Sequence, residues 1–168
     1  MSGAALQPLT AADFAPLAAL AEKIWRQHFQ RFISVDQIEY MLAGRYTAGN
    51  LGKYLDAHDR WLDVLWLDGE RVGYCSHAVT AIPTEMRLEQ LYVLPALHGR
   101  GLGGRMMRHV EAHARELGMH TLTLTVNCHN ASSIAVYRHA GFTVREEKCF
   151  DIGNGFFMDD YVMEKPLV

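Results

Sequence analysis

The chain has 168 residues, of which 49% are hydrophobic and 21% charged, and its formal net charge is -3. This length fits one domain over residues 1–168, since domains run to roughly 100–200 residues, and the composition is that of an ordinary globular protein. The lack of a basic excess argues against a nucleic-acid partner. No apolar run approaches the roughly 20 residues that cross a bilayer, which argues against a membrane partner.

The first part of the chain predicts helices. Thr10 resembles an N-cap with an acidic partner at Asp13, and the Ala/Leu-rich run behind it reaches about His28. Ser34 begins a second capping box, and the apolar residues that follow it recur at helical spacing. A weaker helical turn is expected over residues 50–58.

The pattern then changes to that of strands. Residues 61–67 are rich in apolar and aromatic side chains, and the dipeptide Asp68-Gly69 after them favours a hairpin turn. The returning strand is predicted over residues 72–80. A third strand over residues 84–94 ends before a proline, so three antiparallel strands are expected here.

The second half of the chain alternates between helix and strand. A glycine-rich stretch opens a helix that continues to Leu117, residues 121–126 form a β-branched strand, and residues 130–140 form a short helix. Two last strands, over residues 142–152 and 156–165, flank an Asn-Gly turn. This order of elements predicts an α/β domain with a mixed sheet.

The glycine-rich stretch has four glycines in six positions between a strand and a helix, at Gly99, Gly101, Gly103 and Gly104. Free backbone N–H groups and the positive end of a helix dipole bind phosphate or pyrophosphate at such a point. A flexible turn without a ligand is the alternative. The string also matches G-x-G-x-x-G, but no Asp or Glu ends the next strand to bind a ribose, and no Lys completes a Walker A loop.

Two segments together resemble the GCN5-related N-acetyltransferase (GNAT) superfamily. The first is Leu91-Tyr92-Val93-Leu94-Pro95 followed by His98-Gly99-Arg100-Gly101-Leu102-Gly103, where the family has Gln or Arg in place of His98. The second comprises Val126, Asn130, Ala131, Tyr137, Gly141 and Phe142. The resemblance implies a mixed, mostly antiparallel sheet with N-terminal helices and a V-shaped CoA-binding cleft. It also implies acetyl-CoA as cosubstrate, without a metal.

The same resemblance implies which residues contact acetyl-CoA. The pantetheine arm would pair with the backbone of Leu91, Tyr92 and Val93. The pyrophosphate would lie on the loop formed by His98, Gly99, Arg100, Gly101, Leu102, Gly103 and Gly104. On the other side, the cosubstrate would be flanked by Asn130, Ala131 and Ser133. A backbone N–H near Tyr92 or Val93 would polarise the acetyl carbonyl.

Aminolysis of a thioester needs a base for the incoming ammonium and an acid for the departing thiolate. The resemblance implies that Tyr137 is the acid, although a tyrosine of the core would fit the same position. Glu89 is the candidate base, because the sequence around it looks like the L-E-x-hydrophobic-aromatic-V stretch of polyamine acetyltransferases. A solvated glutamate, or one paired with Arg87, is an equal alternative, and a β-bulge in this strand would hide its direction.

Several other residues have mainly structural interpretations. His77 is expected to be a structural strand histidine, and His109 with His113 to be surface histidines and not a metal pair. An acyl-cysteine at Cys128 receives little weight. Of the adjacent Asp159 and Asp160, one could meet a cationic acceptor, but charges on a solvated edge strand are the favoured interpretation. Aromatic lining for an acceptor pocket is available from Trp25, His28, Phe29 and Tyr40.

The function predicted from these observations is transfer of an acetyl group to a primary amine of a small molecule. The alternatives are acetylation of protein N-termini or lysines, a non-catalytic CoA-binding module, and an NAD-dependent oxidoreductase. Three scattered cysteines and the lack of a signal-peptide pattern in residues 1–9 predict a cytoplasmic protein with reduced thiols. A homodimer is expected from the resemblance alone.

Overall fold

Within residues 3–168, which the computed structural model describes, seven strands form one sheet. In chain order the strands are β1 (Ala5–Pro8), β2 (Arg60–Leu67), β3 (Glu70–Val79), β4 (Glu85–Val93), β5 (Thr121–Asn127), β6 (Thr143–Gly153) and β7 (Phe156–Pro166). Their order across the sheet is β1-β2-β3-β4-β5-β7-β6, and of these neighbouring pairs β4–β5 is parallel while the others are antiparallel. The predicted α/β fold with a mixed, mostly antiparallel sheet is confirmed.

The described residues also form five α-helices. They are α1 (Phe14–Phe29), α2 (Val35–Arg45), α3 (Ala48–Gly52), α4 (Leu102–Glu116) and α5 (Ala131–His139). At the start of α1 the Thr10 N–H and hydroxyl both donate to Asp13, at 2.8 and 3.0 Å, as the capping pattern predicts. At α2 the Ser34 hydroxyl accepts from the Gln37 N–H at 3.1 Å. The Gln37 side chain does not complete that capping box, because it reaches to the β6–β7 hairpin instead.

One local prediction was wrong, and the bounds of another were shifted. The sequence indicated no strand before residue 61, yet β1 pairs with β2, because four residues are too few to show a period of two and the pairing is long-range. The turn expected over residues 50–58 is the five-residue α3, which begins after its N-cap Thr47. Gly49 and Gly52 weaken that helix, since glycine is a poor helix former.

Two hydrophobic clusters within the described residues cover the two faces of the sheet. Along β2, Leu62 and Val64 join one cluster and Trp61 and Leu65 the other, as the alternation of strand side chains requires. The first cluster is completed by α1 to α3 and the second by α4 and α5. No helix in residues 3–168 has the length and apolarity needed to cross a membrane.

The centre of the sheet opens into a V. In the described structure β4 and β5 pair at three positions, from Glu85↔Thr121 to Arg87↔Thr123, and both strands then continue apart. On the other edge of β4, Ser76 pairs with Gln90 and His77 with Leu88. Glu89 is therefore the extra residue of a β-bulge, which bends β4 where the two strands separate.

Candidate active site

A cleft of about 1740 Å³ begins where β4 and β5 separate. One part of its wall is made by the end of β4, the first turn of α4 and the start of α5. The opposite part is made by α1, α2 and the β6–β7 hairpin. A cleft with these two parts can hold an extended ligand on one side and a second, smaller molecule on the other.

The glycine-rich loop forms an anion-binding cradle at the start of α4. Gly99 and Gly101 have φ of 81° and 77°, and open space lies where a Cβ would stand at either residue. The first helical bond runs from the Arg105 N–H to the Gly101 carbonyl at 3.0 Å, so the amides before it have no acceptor inside the helix. These amides, at Leu102, Gly103 and Gly104, fit the pyrophosphate of coenzyme A.

The end of β4 presents a free backbone edge to the cleft. Leu91, Tyr92 and Val93 pair with β3 on one side and line the cleft on the other, beyond the last pair with β5. Peptide groups on such an edge bond to any extended chain that carries amides. The pantetheine arm of coenzyme A is such a chain, so these residues fit it.

The charged residues around the cradle differ in their access to the cleft. His98 lies at the rim with its Nε2 atom 3.0 Å from the Val93 carbonyl oxygen, so its ring folds back onto the end of β4. Arg100 is exposed and lies outside the cleft lining. Arg108 lines the cleft, and its guanidinium lies 3.3 Å from where a Cβ would stand at Gly104. Arg108 was not among the residues predicted from the sequence, although its i, i+4 spacing from Gly104 could have indicated it.

The start of α5 is joined to α1 across the cleft. Asn130 caps α5, because its side-chain oxygen accepts from the Ser133 N–H at 3.2 Å. Its amide nitrogen donates to His28 Nε2 at 3.2 Å. Burial lowers the pKa of His28, and the nearby His98 and Arg31 lower it further, so its ring is a neutral acceptor. Asn130 and Ser133 line the cleft, whereas Ala131 is exposed outside it.

Tyr137 lines the cleft from α5 and packs against Phe142, with 5.9 Å between the ring centroids. Burial raises the pKa of Tyr137, and the nearby Tyr92 adds to the rise. The phenol is therefore neutral at physiological pH. In that state Tyr137 can donate a proton or a hydrogen bond but cannot serve as a resident base.

Glu89, the residue of the β-bulge, also lines the cleft. Its Oε1 atom accepts from the Tyr54 hydroxyl at 3.0 Å. Its Oε2 atom lies 4.0 Å from the Arg87 guanidinium, the ion pair that the sequence left as an alternative. Tyr54 positions the carboxylate, and lone pairs remain on it for a ligand.

A second carboxylate in the cleft belongs to Asp160 of β7. Burial raises its pKa to about 6 and the neighbouring Asp159 adds to the rise, while Arg45 opposes it. The interpretation of both aspartates as charges on a solvated edge strand is wrong for Asp160, because the edge is β6 and Asp160 is buried. Asp159 is exposed, as that interpretation expected.

The aromatic residues expected around an acceptor do line the cleft, namely Trp25, His28, Phe29 and Tyr40. Trp25 and Phe29 lie with their ring centroids 5.9 and 6.1 Å from that of Tyr92. Because both side chains are also buried, they belong to the core and to the wall of the cleft at once.

Three other histidines, His77, His109 and His113, lie on the other side of the sheet. His77 is buried, its Nε2 is 2.7 Å from Nδ1 of His113, and burial lowers its pKa to about 4, so it is structural as expected. His109 is exposed and lies 3.0 Å from Asp63, whereas His113 is half-buried and is not a simple surface histidine. Across residues 3–168 no three His, Cys, Asp or Glu side chains are grouped to hold a metal ion. Cys128 lies outside the cleft lining.

Sequence comparisons connect this chain to known enzymes. A profile of the acetyltransferase (GNAT) family matches residues 17–142. An uncharacterised N-acetyltransferase of Mycobacterium tuberculosis is 28% identical over 156 residues, which are 93% of this chain and 99% of the relative. Streptothricin acetyltransferase of Streptomyces lavendulae is 34% identical over 87 residues, which are 52% of this chain and 46% of that protein.

The fold is similar to that of a solved enzyme as well. The PaiA N-acetyltransferase of Thermoplasma acidophilum, in complex with coenzyme A, superimposes with a TM-score of 0.83. The two sequences are 19% identical, and the match covers 98% of this chain and 99% of that chain. At this level of identity the likeness shows a shared fold.

Proposed function

Because this chain belongs to the acetyltransferase (GNAT) family and is an acetyl-CoA-dependent N-acetyltransferase, we propose that its acceptor is a primary amine of a small molecule. The acceptor side of the cleft, where α2 is bonded to the β6–β7 hairpin, carries this proposal. There the Gln37 side chain donates to the Phe157 carbonyl and the Tyr40 hydroxyl to the Ile152 carbonyl, both at 2.9 Å. These bonds tie α2 to the β6–β7 hairpin, and a protein lysine or N-terminus needs an open groove instead.

A relative supports the same class of acceptor. Streptothricin acetyltransferase is named for a compound and not for a protein substrate, and it matches about half of this chain. With the family established, the alternatives of a non-catalytic module and of an NAD-dependent oxidoreductase are set aside. Acetylation of protein N-termini or lysines is the competing proposal that an experiment must separate.

For acetyl-CoA we propose the contacts that the sequence indicated. The strand edge at Leu91, Tyr92 and Val93 would hold the pantetheine arm. The pyrophosphate would lie on the loop and first turn of α4, at His98, Gly99, Gly101, Leu102, Gly103 and Gly104, with Arg108 added as a cation. Arg100 was also implied by the resemblance, but it lies outside the cleft lining. The opposite wall would be formed by Asn130 and Ser133, whereas Ala131, which the resemblance also implied, lies outside the cleft lining. The open space at Gly99 and Gly101 supports this placement.

When bound, acetyl-CoA supplies the acetyl group as a thioester, whose C–S bond breaks as the amide C–N bond forms. Glu89 accepts the proton that the acceptor ammonium must lose before its nitrogen can attack. The Tyr137 hydroxyl gives a proton to the leaving sulfur and regains one from the acylated nitrogen, so the phenol is neutral before and after transfer. A backbone N–H near Tyr92 or Val93 polarises the carbonyl.

The test begins with isothermal calorimetry of acetyl-CoA, desulfo-CoA and NAD(H), followed by a thiol-release assay. The amine panel contains alkylamines, polyamines and amino acids, set against peptides with a free N-terminus or a lysine. We expect micromolar acetyl-CoA binding and turnover with small amines at least about ten times faster than with peptides. Faster acetylation of the peptides would contradict the proposed acceptor, and a lack of acetyl-CoA binding would contradict the site.

A further inference from the structure

Within residues 3–168, one carboxylate of the cleft has a buried oxygen without a hydrogen-bond partner. Asp160 is 8% exposed, and within residues 3–168 its Oδ1 atom is buried without a hydrogen-bond partner. A buried carboxylate without a partner costs free energy of folding, because it has lost water and gained nothing in exchange. Such a residue in a ligand cleft suggests that the ligand supplies the missing partner.

Cations near Asp160 are directed elsewhere. Lys148 is the cross-strand neighbour of Asp160 on β6, but its ammonium lies 5.2 Å from the ring centroid of Phe150. Arg45 is close enough to favour the charged form of Asp160, yet its guanidinium lies over the Trp25 ring at 5.2 Å. Asp160 therefore lines the cleft without an ion-pair partner among the described residues, although Arg45 partly offsets its charge.

Asp160 points to the acceptor side of the sheet. Met158 and Asp160 are two apart on β7 and share a face, and the Met158 sulfur accepts from the Gln37 side chain of α2 at 3.1 Å. That face is the one that α1 and α2 cover. The glycine-rich cradle is formed by α4, whose buried side chains belong to the other cluster.

Asp160 also lies level with the part of β4 that we propose for contact with the thioester. β4 and β5 no longer pair beyond Arg87↔Thr123, but counting along both strands from that pair, with Glu89 as the extra residue, brings Tyr92 to the level of Asn127. Asn127 is in turn the antiparallel partner of Asp160. Burial raises the pKa of Tyr92 to about 12, Arg45 opposes this rise, and the charge of Asp160 adds to it.

We propose that Asp160 is the cation-binding point of the acceptor site and receives an alkylammonium group of the acceptor. The inference rests on the proposed function and narrows it. The carbon chain beside that ammonium would be lined by Trp25, Phe29 and Tyr92. An ammonium group is attracted to aromatic faces as well as to a carboxylate. A carboxylate next to the amine would meet Asp160 with like charge, so alkylamines are acetylated in preference to amino acids.

The ammonium on Asp160 is either the reacting one or a second one on the same molecule. Butylamine carries one ammonium and 1,4-diaminobutane carries two, on chains of equal length. The experiment compares kcat/KM for both amines, and for alanine, in the wild type, in Asp160→Asn and in Asp159→Asn. The last variant is the matched control, because it removes the same charge from the exposed neighbouring residue.

We expect Asp160→Asn to lower kcat/KM for the amine at least about 30-fold, mainly through KM, as the loss of one partner of a buried charge pair does. Acetyl-CoA affinity should stay within about twofold, and Asp159→Asn should match the wild type. If kcat/KM falls with both amines, Asp160 binds the reacting ammonium. If kcat/KM falls with 1,4-diaminobutane alone, Asp160 binds the second ammonium. Unchanged kinetics in Asp160→Asn would overturn the inference while leaving the proposed function intact. A wild type that acetylates only peptides would overturn both.

Discussion

At the residue scale, polar side chains of the cleft differ in whether the fold already satisfies them. Glu89 accepts from Tyr54, and Asn130 caps α5 while it bonds to His28. Asp160 is left without such a partner among the described residues. Satisfied groups are positioned before a ligand arrives, whereas an unsatisfied one costs stability until the ligand binds.

Replacing Tyr137 with Phe should separate catalysis from binding. The ring and its packing on Phe142 remain, but the proton donor is lost, so kcat should fall about 100-fold or more. KM for both substrates should change little, as measured by steady-state thiol release. Tyr161→Phe is the control, since Tyr161 is a half-buried tyrosine outside the cleft lining. A Tyr137→Phe enzyme with wild-type kcat would exclude the phenol as the acid.

Asp160→Asn should change the pH dependence of stability. The pKa of Asp160 is about 6 in the folded chain against an ordinary value of 3.8, so its stabilising contribution is full below pH 3.8 and is lost as pH rises through 6. At 1.36 kcal/mol per pH unit the loss reaches up to about 3 kcal/mol. The variant should therefore match the wild type near pH 4 and be more stable at pH 8. Urea unfolding at both values measures this, with Asp159→Asn showing no comparable gain.

At the element scale, one bulge and one helix start determine where the two substrates meet. The bulge at Glu89 in β4 lies where the strand parts from β5, so the free edge begins immediately beyond it. The start of α4 follows that edge after one short turn, Pro95–Leu97. The strand edge can bond to the amides of coenzyme A and the helix start to its phosphates. The two sites follow each other in the same order as those groups do along coenzyme A.

Gly101→Ala tests the helix start. Its φ of 77° is unfavourable for a side chain, and the added methyl group would occupy the open space of the cradle. Gly155→Ala is the control, because that hairpin glycine has a φ of 78° and lies outside the cleft lining. We expect both variants to lose about 1 kcal/mol of stability. Only Gly101→Ala should weaken acetyl-CoA binding, about tenfold or more by calorimetry, and equal affinities would contradict the cradle.

At the scale of the whole molecule, the strands that separate at the V, β4 and β5, are each held by a neighbouring strand. β4 is held by β3, β5 by β7, and α2 bonds to the hairpin on the far side. We expect a single cooperative thermal transition in scanning calorimetry, as one domain over residues 1–168 predicts. Saturating acetyl-CoA at about 100 times its Kd should add about 2.7 kcal/mol to that stability. Two separated transitions would contradict the single domain.

The homodimer stays a prediction, which sedimentation analysis tests.

Local signals in the sequence determined most elements and the family. Asn154-Gly155 and Asp68-Gly69 form the hairpin turns that the dipeptides predict, with positive φ at each of the four residues. The glycines before α4, with the spacing to Asn130 and Tyr137, were enough to identify the family and its cosubstrate. These signals are readable because a turn, a cap or a helix start depends on residues within a few positions of one another.

Contacts between distant segments decided the rest. β1 forms a strand because it pairs with the edge of β2. The V forms because β4 and β5 stop pairing after three positions. The sequence predicted that Asp159 and Asp160 point to opposite faces of a strand. The sequence did not indicate that β7 lies inside the sheet and under α2. This position buries Asp160 and leaves Asp159 exposed. Burial and charge at a site depend on which segments pack together, and that information is absent from local periodicity.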